Sequence, residues 1–225
     1  MGKSTLILMR HGQSIWNKLN VFTGWVDVPL SEKGIEEALK GGEEIKDIPI
    51  HVAFTSTLIR AHMTLFLALL KHASGKTPVM LHDKGKEKEW ATINAPESAD
   101  KVLPVLSSWH LNERMYGDLQ GRNKEKVKQE VGEEQFVKWR RSFENAPPNG
   151  ESLKMTTKRT LPYFKKKIVP YLQEGKNVLV SAHGNSLRGI VMFLDKLSKE
   201  EIVKLEIPTG KPLIYEYEDG KFFKK

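Results

Sequence analysis

The 225-residue chain contains no cysteine. That excludes disulfides, thiolate metal sites and cysteine nucleophiles together, and it fits a reducing cytoplasm. No apolar run is long enough to cross a bilayer, because the longest candidate, Leu65 to Leu70, stops at Lys71 and His72. The first apolar run, Thr5 to Met9, leads straight into Arg10 and His11, which is not the layout of a secretory leader. The start Met1-Gly2 lacks the Ser or Thr that N-myristoylation wants, since Leu6 occupies that place. Internal repeats and low-complexity linkers are absent as well, so residues 1–225 read as one globular domain with no membrane partner. What the chain has instead is positive charge, a net +8 from 36 Lys and Arg against 28 Asp and Glu. Such an excess favours anionic partners. Lys165-Lys166-Lys167 is the one tight basic run, with no interleaved aromatic ladder, and on charge alone nucleic acid and a small phosphorylated metabolite are both candidates.

Periodicity predicts strands at Thr5–Met9, Val52–Thr55, Asn177–Ser181 and Leu213–Tyr217. Between them, Ser31 caps a helix with Ile35, Ala38, Leu39 and Ile45 on one face, and Leu58 to Lys71 reads as a largely buried helix. Further helices are expected from Lys124 to Phe143 and from Ser152 to Leu172, the latter interrupted or kinked at Pro162. Ser198 with Glu201 forms a capping box. Alternating strands and helices predict a three-layer α/β/α sandwich around a mostly parallel sheet. Residues 73–108, with Pro78, Pro96, Pro104 and the charge cluster Asp83 to Glu89, read as a loop-rich surface excursion. Asn145 to Gly150 reads as a turn.

The segment Leu8 to Asn17 (LMRHGQSIWN) carries the most chemistry. It puts Arg10 and His11 at the carboxyl end of a strand, where open α/β sheets hold ligands. An imidazole can attack phosphorus while a guanidinium clamps phosphate oxygens. Arg60, in TSTLIRA, stands on the first turn of a helix that follows a strand, a second anion-binding position. LNERMYGDLQG supplies Glu113, a carboxylate suited to shuttling a hydroxyl proton, and Arg140-Arg141 could hold another anionic group. SAHGNS repeats the strand-then-His-Gly pattern at His183. Singly, each of these segments is compatible with ordinary surface or structural residues.

Taken in order, LMRHGQSIWN, Thr23-Gly24-Trp25, TSTLIRA, LNERMYGDLQG, AHGNSLR and IPTGKPLIYE resemble the cofactor-dependent phosphoglycerate mutases of the histidine phosphatase superfamily, over nearly the whole chain. The resemblance implies that His11 becomes phosphorylated, that Glu113 donates and accepts the proton of the substrate hydroxyl, and that His183 joins them in catalysis. Arg10, Asn17, Arg60, Gly184 and Asn185 would surround the phosphoryl group. Ser14, Thr23, Gly24, Arg114, Tyr116, Lys124, Arg140 and Arg141 would line the substrate pocket. The implied reaction interconverts 3-phosphoglycerate and 2-phosphoglycerate, primed by 2,3-bisphosphoglycerate and needing no metal. Its partners would be small phosphorylated three-carbon acids, and the protein a cytoplasmic monomer or homodimer.

The chain departs from that pattern at Met115, where relatives commonly carry His, and in the long separation of Arg60 from Glu113. The stretch after Phe143 lacks a long polar loop, and a tail that covers the site in relatives is short here. Easier access of water predicts some phosphatase leakage. Among rival enzymes, a superfamily phosphatase would usually lack Glu113 to Gly121 together with Arg140-Arg141, and a bisphosphoglycerate synthase would tend to carry Gly at Ser14. A dead scaffold would be expected to have lost one of His11, Arg60, Glu113 or His183.

Overall fold

The structure is a computed structural model that describes residues 2–82 and 84–225. The Met1-Gly2 start and the cluster Asp83 to Glu89 each begin on a residue outside that set. Seven strands form one sheet: β1 (Ser4–Arg10), β2 (Val52–Thr55), β3 (Thr77–Leu81), β4 (Val102–Ser107), β5 (Val178–Ala182), β6 (Pro212–Glu218) and β7 (Lys221–Lys224), in the order β3-β4-β2-β5-β1-β6-β7. The pairs from β3 through β1 are parallel, whereas β6 runs antiparallel to β1 and β7 antiparallel to β6.

Strand β1 shows why the sheet sits between two helical layers. Leu6, Ile7, Leu8 and Met9 are all fully buried, which requires cover on both faces. Leu6 and Leu8 pack with Phe164, Ile168, Leu187 and Ile190 on one face. Ile7 and Met9 pack with Ile45, Leu65 and Ala68 on the other. The period of two along the strand thus divides the apolar side chains between two cores. One is closed by the helices Leu153–Tyr163 and Gly184–Leu194, the other by Glu32–Ile45 and Ile59–Leu69. Ser31 caps Glu32–Ile45, its side chain accepting from Gly34 N, and Ser198 forms its capping box with Glu201.

Three local expectations are corrected. Residues 73–108 are not simply loop-rich: they contain β3 and β4 with two short helices, Gly85–Trp90 and Pro96–Ala99, between them. Pro78 and Pro104 argued against strands there, but β3 is an edge strand, and β4 loses only one ladder donor to Pro104. The segment 124–143 is two helices, Lys124–Val131 and Glu133–Arg141, broken at Gly132 with φ of 80°. Pro162 does not interrupt its helix. The path continues through it and widens into a π-type turn at Phe164–Ile168 before Val169–Gln173. A third, smaller apolar cluster, Phe22, Leu119, Val127 and Phe136, anchors the Lys124–Val131 and Glu133–Arg141 pair.

At the start of the loop after β1 the backbone passes hard against a helix. A Cβ on Gly12 would lie 2.1 Å from Gly34 O, and one on Gly34 would lie 2.1 Å from Gln13 O. Backbone cannot yield as a flexible side chain would, so both positions need glycine, and Gly34 presses on the turn that carries His11. Gly34→Ala is expected to lower unfolding free energy by about 1–3 kcal/mol through overpacking, read from the urea midpoint. An unchanged midpoint would mean that the turn moves freely.

Candidate active site

The parallel register of β1 and β5 pairs Arg10 with Ala182, so the two strands end level and the next residues, His11 and His183, stand side by side. Their ring centroids are 4.9 Å apart, and both side chains are buried. His11 N donates to Ala182 O at 2.9 Å, which ties the two strand ends. His11 Nδ1 lies 2.6 Å from Gly12 O. A carbonyl oxygen only accepts, so the proton is on Nδ1 and Nε2 carries the free lone pair. Burial, reinforced by Arg60 and Arg10, holds His11 well below the usual imidazole pKa, so the ring is neutral. The pKa of His183 is likewise lowered by burial, then by Arg60 and His11. Its Nε2 sits 2.7 Å from Ser56 Oγ, which already accepts from Leu58 N. His183 Nδ1 is buried and has no partner among the described residues.

Glu113 closes the triangle. Ligand atoms of His11, Glu113 and His183 all lie within 4.8 Å of one another. One oxygen of Glu113, Oε1, accepts from Arg114 N at 2.7 Å, Asn185 N at 3.1 Å and Asn185 Nδ2 at 2.9 Å. Burial alone would raise this carboxyl's pKa, but those donors with Arg10 and Arg60 outweigh it, and Glu113 is held ionised. The segment bearing it is clamped by Arg159, whose guanidinium donates to the carbonyls of His110 (2.9 Å), Asn112 (3.0 Å) and Glu113 (2.8 Å) and pairs with Glu151. Trp25 Nε1 donates to the same Glu113 carbonyl at 2.6 Å. Glu151 also accepts from Met115 N at 3.0 Å, and Met115 Sδ accepts from Gly117 N at 2.8 Å, so Met115 holds its turn without an imidazole.

Cations surround this triangle. Arg60 is 1% exposed, with its Nη atoms fixed by Gly24 O at 2.7 Å and Val26 O at 3.0 Å. Burial lowers its pKa to about 10, which leaves it charged at neutral pH. Arg10 Nη1 donates to Ile207 O at 2.8 Å. The Nε atoms of both arginines are buried without partners among the described residues, as is Thr23 Oγ1. Asn17 Oδ1 accepts from Ser14 N at 3.1 Å, which leaves the Asn17 amide nitrogen as the donor available to the cavity.

The cavity brings together most of the residues singled out in the sequence. Arg10, His11, Asn17, Arg60, Glu113, Gly184 and Asn185 line it, together with Thr23, Gly24, Tyr116, Lys124, Arg140 and Arg141. Three expected residues do not line it. His183 is fully buried beside His11, and Ser14 is fully buried as the cap of the short helix Ile15–Lys18, pairing with Asn17. Arg114 lines a smaller adjoining recess and donates to Trp139 O at 2.8 Å. Conversely, Arg188 and Glu206 line the cavity and were not singled out, and neither were Ser56 and Arg159. Arg188 was within reach of sequence reasoning, because it stands one helical turn after Asn185 on the same face. Glu206 had no signal, since it lies in the irregular segment between the helix Lys199–Ile202 and β6.

Two imidazoles and a carboxylate at this separation have the outline of a metal centre. The guanidinium groups of Arg10 and Arg60 act on all three, so the local charge favours an anion over a cation. The unpartnered Arg10 Nε, Arg60 Nε, His183 Nδ1 and Thr23 Oγ1 are polar atoms that a phosphorylated ligand would satisfy.

A strand-end histidine pair in an arginine-lined cavity is the mark of a histidine phosphatase. The family model for the histidine phosphatase superfamily (branch 1) matches residues 6–94 and 88–225. A 2,3-bisphosphoglycerate-dependent phosphoglycerate mutase of Protochlamydia amoebophila is 57% identical, over 98% of this chain and 98% of that protein. A protein of the same name from Chlamydia muridarum is 53% identical over 97% and 96%, and phosphoglycerate mutase 1 of Arabidopsis thaliana is 50% identical over 99% and 67%. The chain belongs to the histidine phosphatase superfamily and, within it, to the family of 2,3-bisphosphoglycerate-dependent phosphoglycerate mutases. Its fold is shared with a phosphoglycerate mutase from Bacillus anthracis, at TM-score 0.73 and 23% identity over 100% of this chain and 92% of that one.

Burying two neutral imidazoles makes stability depend on pH. Their folded pKa values lie below the unfolded value, so the unfolded chain binds more protons as pH falls. Their contribution is complete above about pH 6.5 and is lost progressively below it. Imidazole nitrogen NMR at pH 6 is expected to show both rings neutral, with His11 protonated on Nδ1, and the urea midpoint is expected to fall between pH 7 and 5. A charged His11 at pH 6 would contradict the geometry.

Proposed function

We propose that this protein interconverts 3-phosphoglycerate and 2-phosphoglycerate, in glycolysis and gluconeogenesis, through a phosphohistidine formed at His11. The observation that carries the proposal is the free Nε2 of His11, directed by the Nδ1 bond to Gly12 O, within a cavity that also holds the ionised Glu113. 2,3-Bisphosphoglycerate, when bound, supplies the phosphoryl group that first loads His11. The cavity suits it, because its cations and unpartnered donors ask for a ligand with several negative charges.

From there the chain's own residues carry the reaction. The substrate's free hydroxyl attacks the phosphorus on His11. Glu113 takes its proton while the N–P bond breaks and an O–P bond forms. His11 Nε2 then takes the phosphoryl group from the other oxygen, to which Glu113 returns the proton. Arg10 and Arg60 face the charge on the equatorial oxygens, His183 stands beside His11 with its Nδ1 unpartnered among the described residues, and Asn17, Gly184 and Asn185 supply neutral donors. Thr23, Gly24, Tyr116, Lys124, Arg140 and Arg141 hold the rest of the phosphorylated three-carbon acid. Among the described residues no helix is long and apolar enough to cross a membrane. The proposed glycolytic reaction, read from the mutase relatives, is what assigns the enzyme to the cytoplasm.

Conversion of 3- to 2-phosphoglycerate is expected to rise on adding 2,3-bisphosphoglycerate and to vanish in His11→Ala. Glu113→Gln, which keeps the shape but cannot accept the proton, should lose about 10²–10⁴-fold in kcat. Phosphate release from the bisphosphate without isomerisation would replace the mutase by a phosphatase.

Lys124 adds a pH limb. Burial, then Arg140 and Arg10, push its pKa down to about 8. Above that pH the free enzyme loses one of its substrate-holding charges, so kcat/KM should fall through about pH 8. Lys124→Arg, charged throughout, should remove this limb. A limb that persists in the arginine variant would assign the titration to another group.

A further inference from the structure

Glu206 carries a negative charge, the second after Glu113, into a cavity that six lysine and arginine residues line. Its Oε1 lies 2.6 Å from Arg141 Nη1, and its Oε2 lies 3.5 Å from Arg188 Nη2. The two arginines are held differently. Arg188 is fixed from several sides, donating through Nε to Leu205 O at 2.8 Å and through Nη1 to Asn185 Oδ1 at 3.3 Å. Arg141, at the end of the helix Glu133–Arg141, has Glu206 as its one anionic partner among the described residues. The Glu206 side chain is 61% exposed and that of Arg141 37%, so the pair faces solvent and is held weakly.

A guanidinium fork does not distinguish one carboxylate from another. The group that Arg141 offers to the carboxylate or phosphate of a ligand is the group that Glu206 occupies. We propose that Glu206 is an internal competitor for the substrate anion: it pairs with Nη1 of Arg141, and a ligand with a second anionic group must displace it. The identity of that ligand rests on the mutase reading, while the competition needs only a doubly anionic small molecule. Glu206 would then set selectivity by charge spacing. A single anion lodged at Arg10 and Arg60 leaves the Glu206–Arg141 pair intact, whereas a phosphorylated carboxylic acid spanning the cavity breaks it. Arg188, anchored by Leu205 and Asn185, keeps Glu206 close enough to return.

The test is calorimetric titration of the full-length protein with 3-phosphoglycerate and, separately, with inorganic phosphate as the single-anion control. Glu206→Gln should lower the Kd for 3-phosphoglycerate about two- to fivefold, the range expected from releasing one exposed ion pair. Inorganic phosphate should change less. Glu206→Ala should repeat the tightening, and thermal melts of both variants check that the fold is kept. In an Arg141→Ala background the effect of Glu206→Gln should disappear. Unchanged affinity would overturn the proposal, and so would weaker affinity, which would make Glu206 a support that holds Arg141 for the substrate. In turnover the gain should appear as a lower KM. If the wild-type protein binds 3-phosphoglycerate and does not isomerise it, the mutase reading fails and the competition result stands on the titrations alone.

Discussion

Positive charge without a matching number of carboxylates is the constraint on which this site depends. Arg10, Arg60, Lys124, Arg140, Arg141 and Arg188 line one cavity, against Glu113 and Glu206. Gathering cations in a low-dielectric pocket is unfavourable by itself, so each must be held by the scaffold. Arg60 is held by the carbonyls of Gly24 and Val26, and Arg10 by that of Ile207. The sheet supplies the rigidity. β1 and β5 end in register, their apolar residues buried on both faces, and the helix Gly184–Leu194 starts where β5 stops. The cost of assembling the charges is thus met by packing far from the chemistry, and the ligand's own negative charge offsets the rest.

The same field decides protonation. His11 and His183 are kept neutral by burial and by the arginines, and Glu113 is kept ionised by donors and those same arginines. The proposed nucleophile needs its lone pair and the proposed base needs its empty site, so one arrangement of charge suits both. The tautomer is a separate matter, settled by a single backbone carbonyl at Gly12. That carbonyl belongs to the turn pressed against Gly34, which links a close helix contact to the direction in which His11 can attack.

How much of this was legible in the sequence follows from how local each feature is. β1, β2, β5 and β6 could be read because each is a short apolar run bounded by polar or turn residues. β3 and β4 were hidden because Pro78 and Pro104 speak against strands and the burial of β3 is only partial. β7 pairs only with β6 and is mostly exposed, so its sequence KFFK shows little period. In the site, Arg10, His11, Arg60 and Glu113 were readable because each stands in a contiguous segment next to a strand or turn. Residues that act through others were not. Ser56 holds His183 through Nε2, and Arg159 fixes the backbone that carries Glu113 across 46 positions of sequence. Pairings at that separation leave no local pattern. Glu206 is the extreme case, an acidic residue in an irregular segment whose role exists only because Arg141 and Arg188 arrive from two different helices.

The coupling of charge to chemistry carries one step further, to the moment the ligand binds. Glu113 is ionised because cations and donors outweigh the cost of its burial. A phosphorylated acid brings several negative charges into the same cavity and offsets much of that cationic field. Glu113 then holds a proton more readily than it does facing the cations alone. A carboxylate that starts ionised, and keeps a proton more readily once the phosphoryl group and its charge are alongside, can serve both halves of a symmetrical exchange. Deep burial would ordinarily make a carboxylate too weak an acid to begin in the ionised state. Here the uncompensated arginines correct that, which is why the excess of positive charge is part of the proton chemistry as well as of binding.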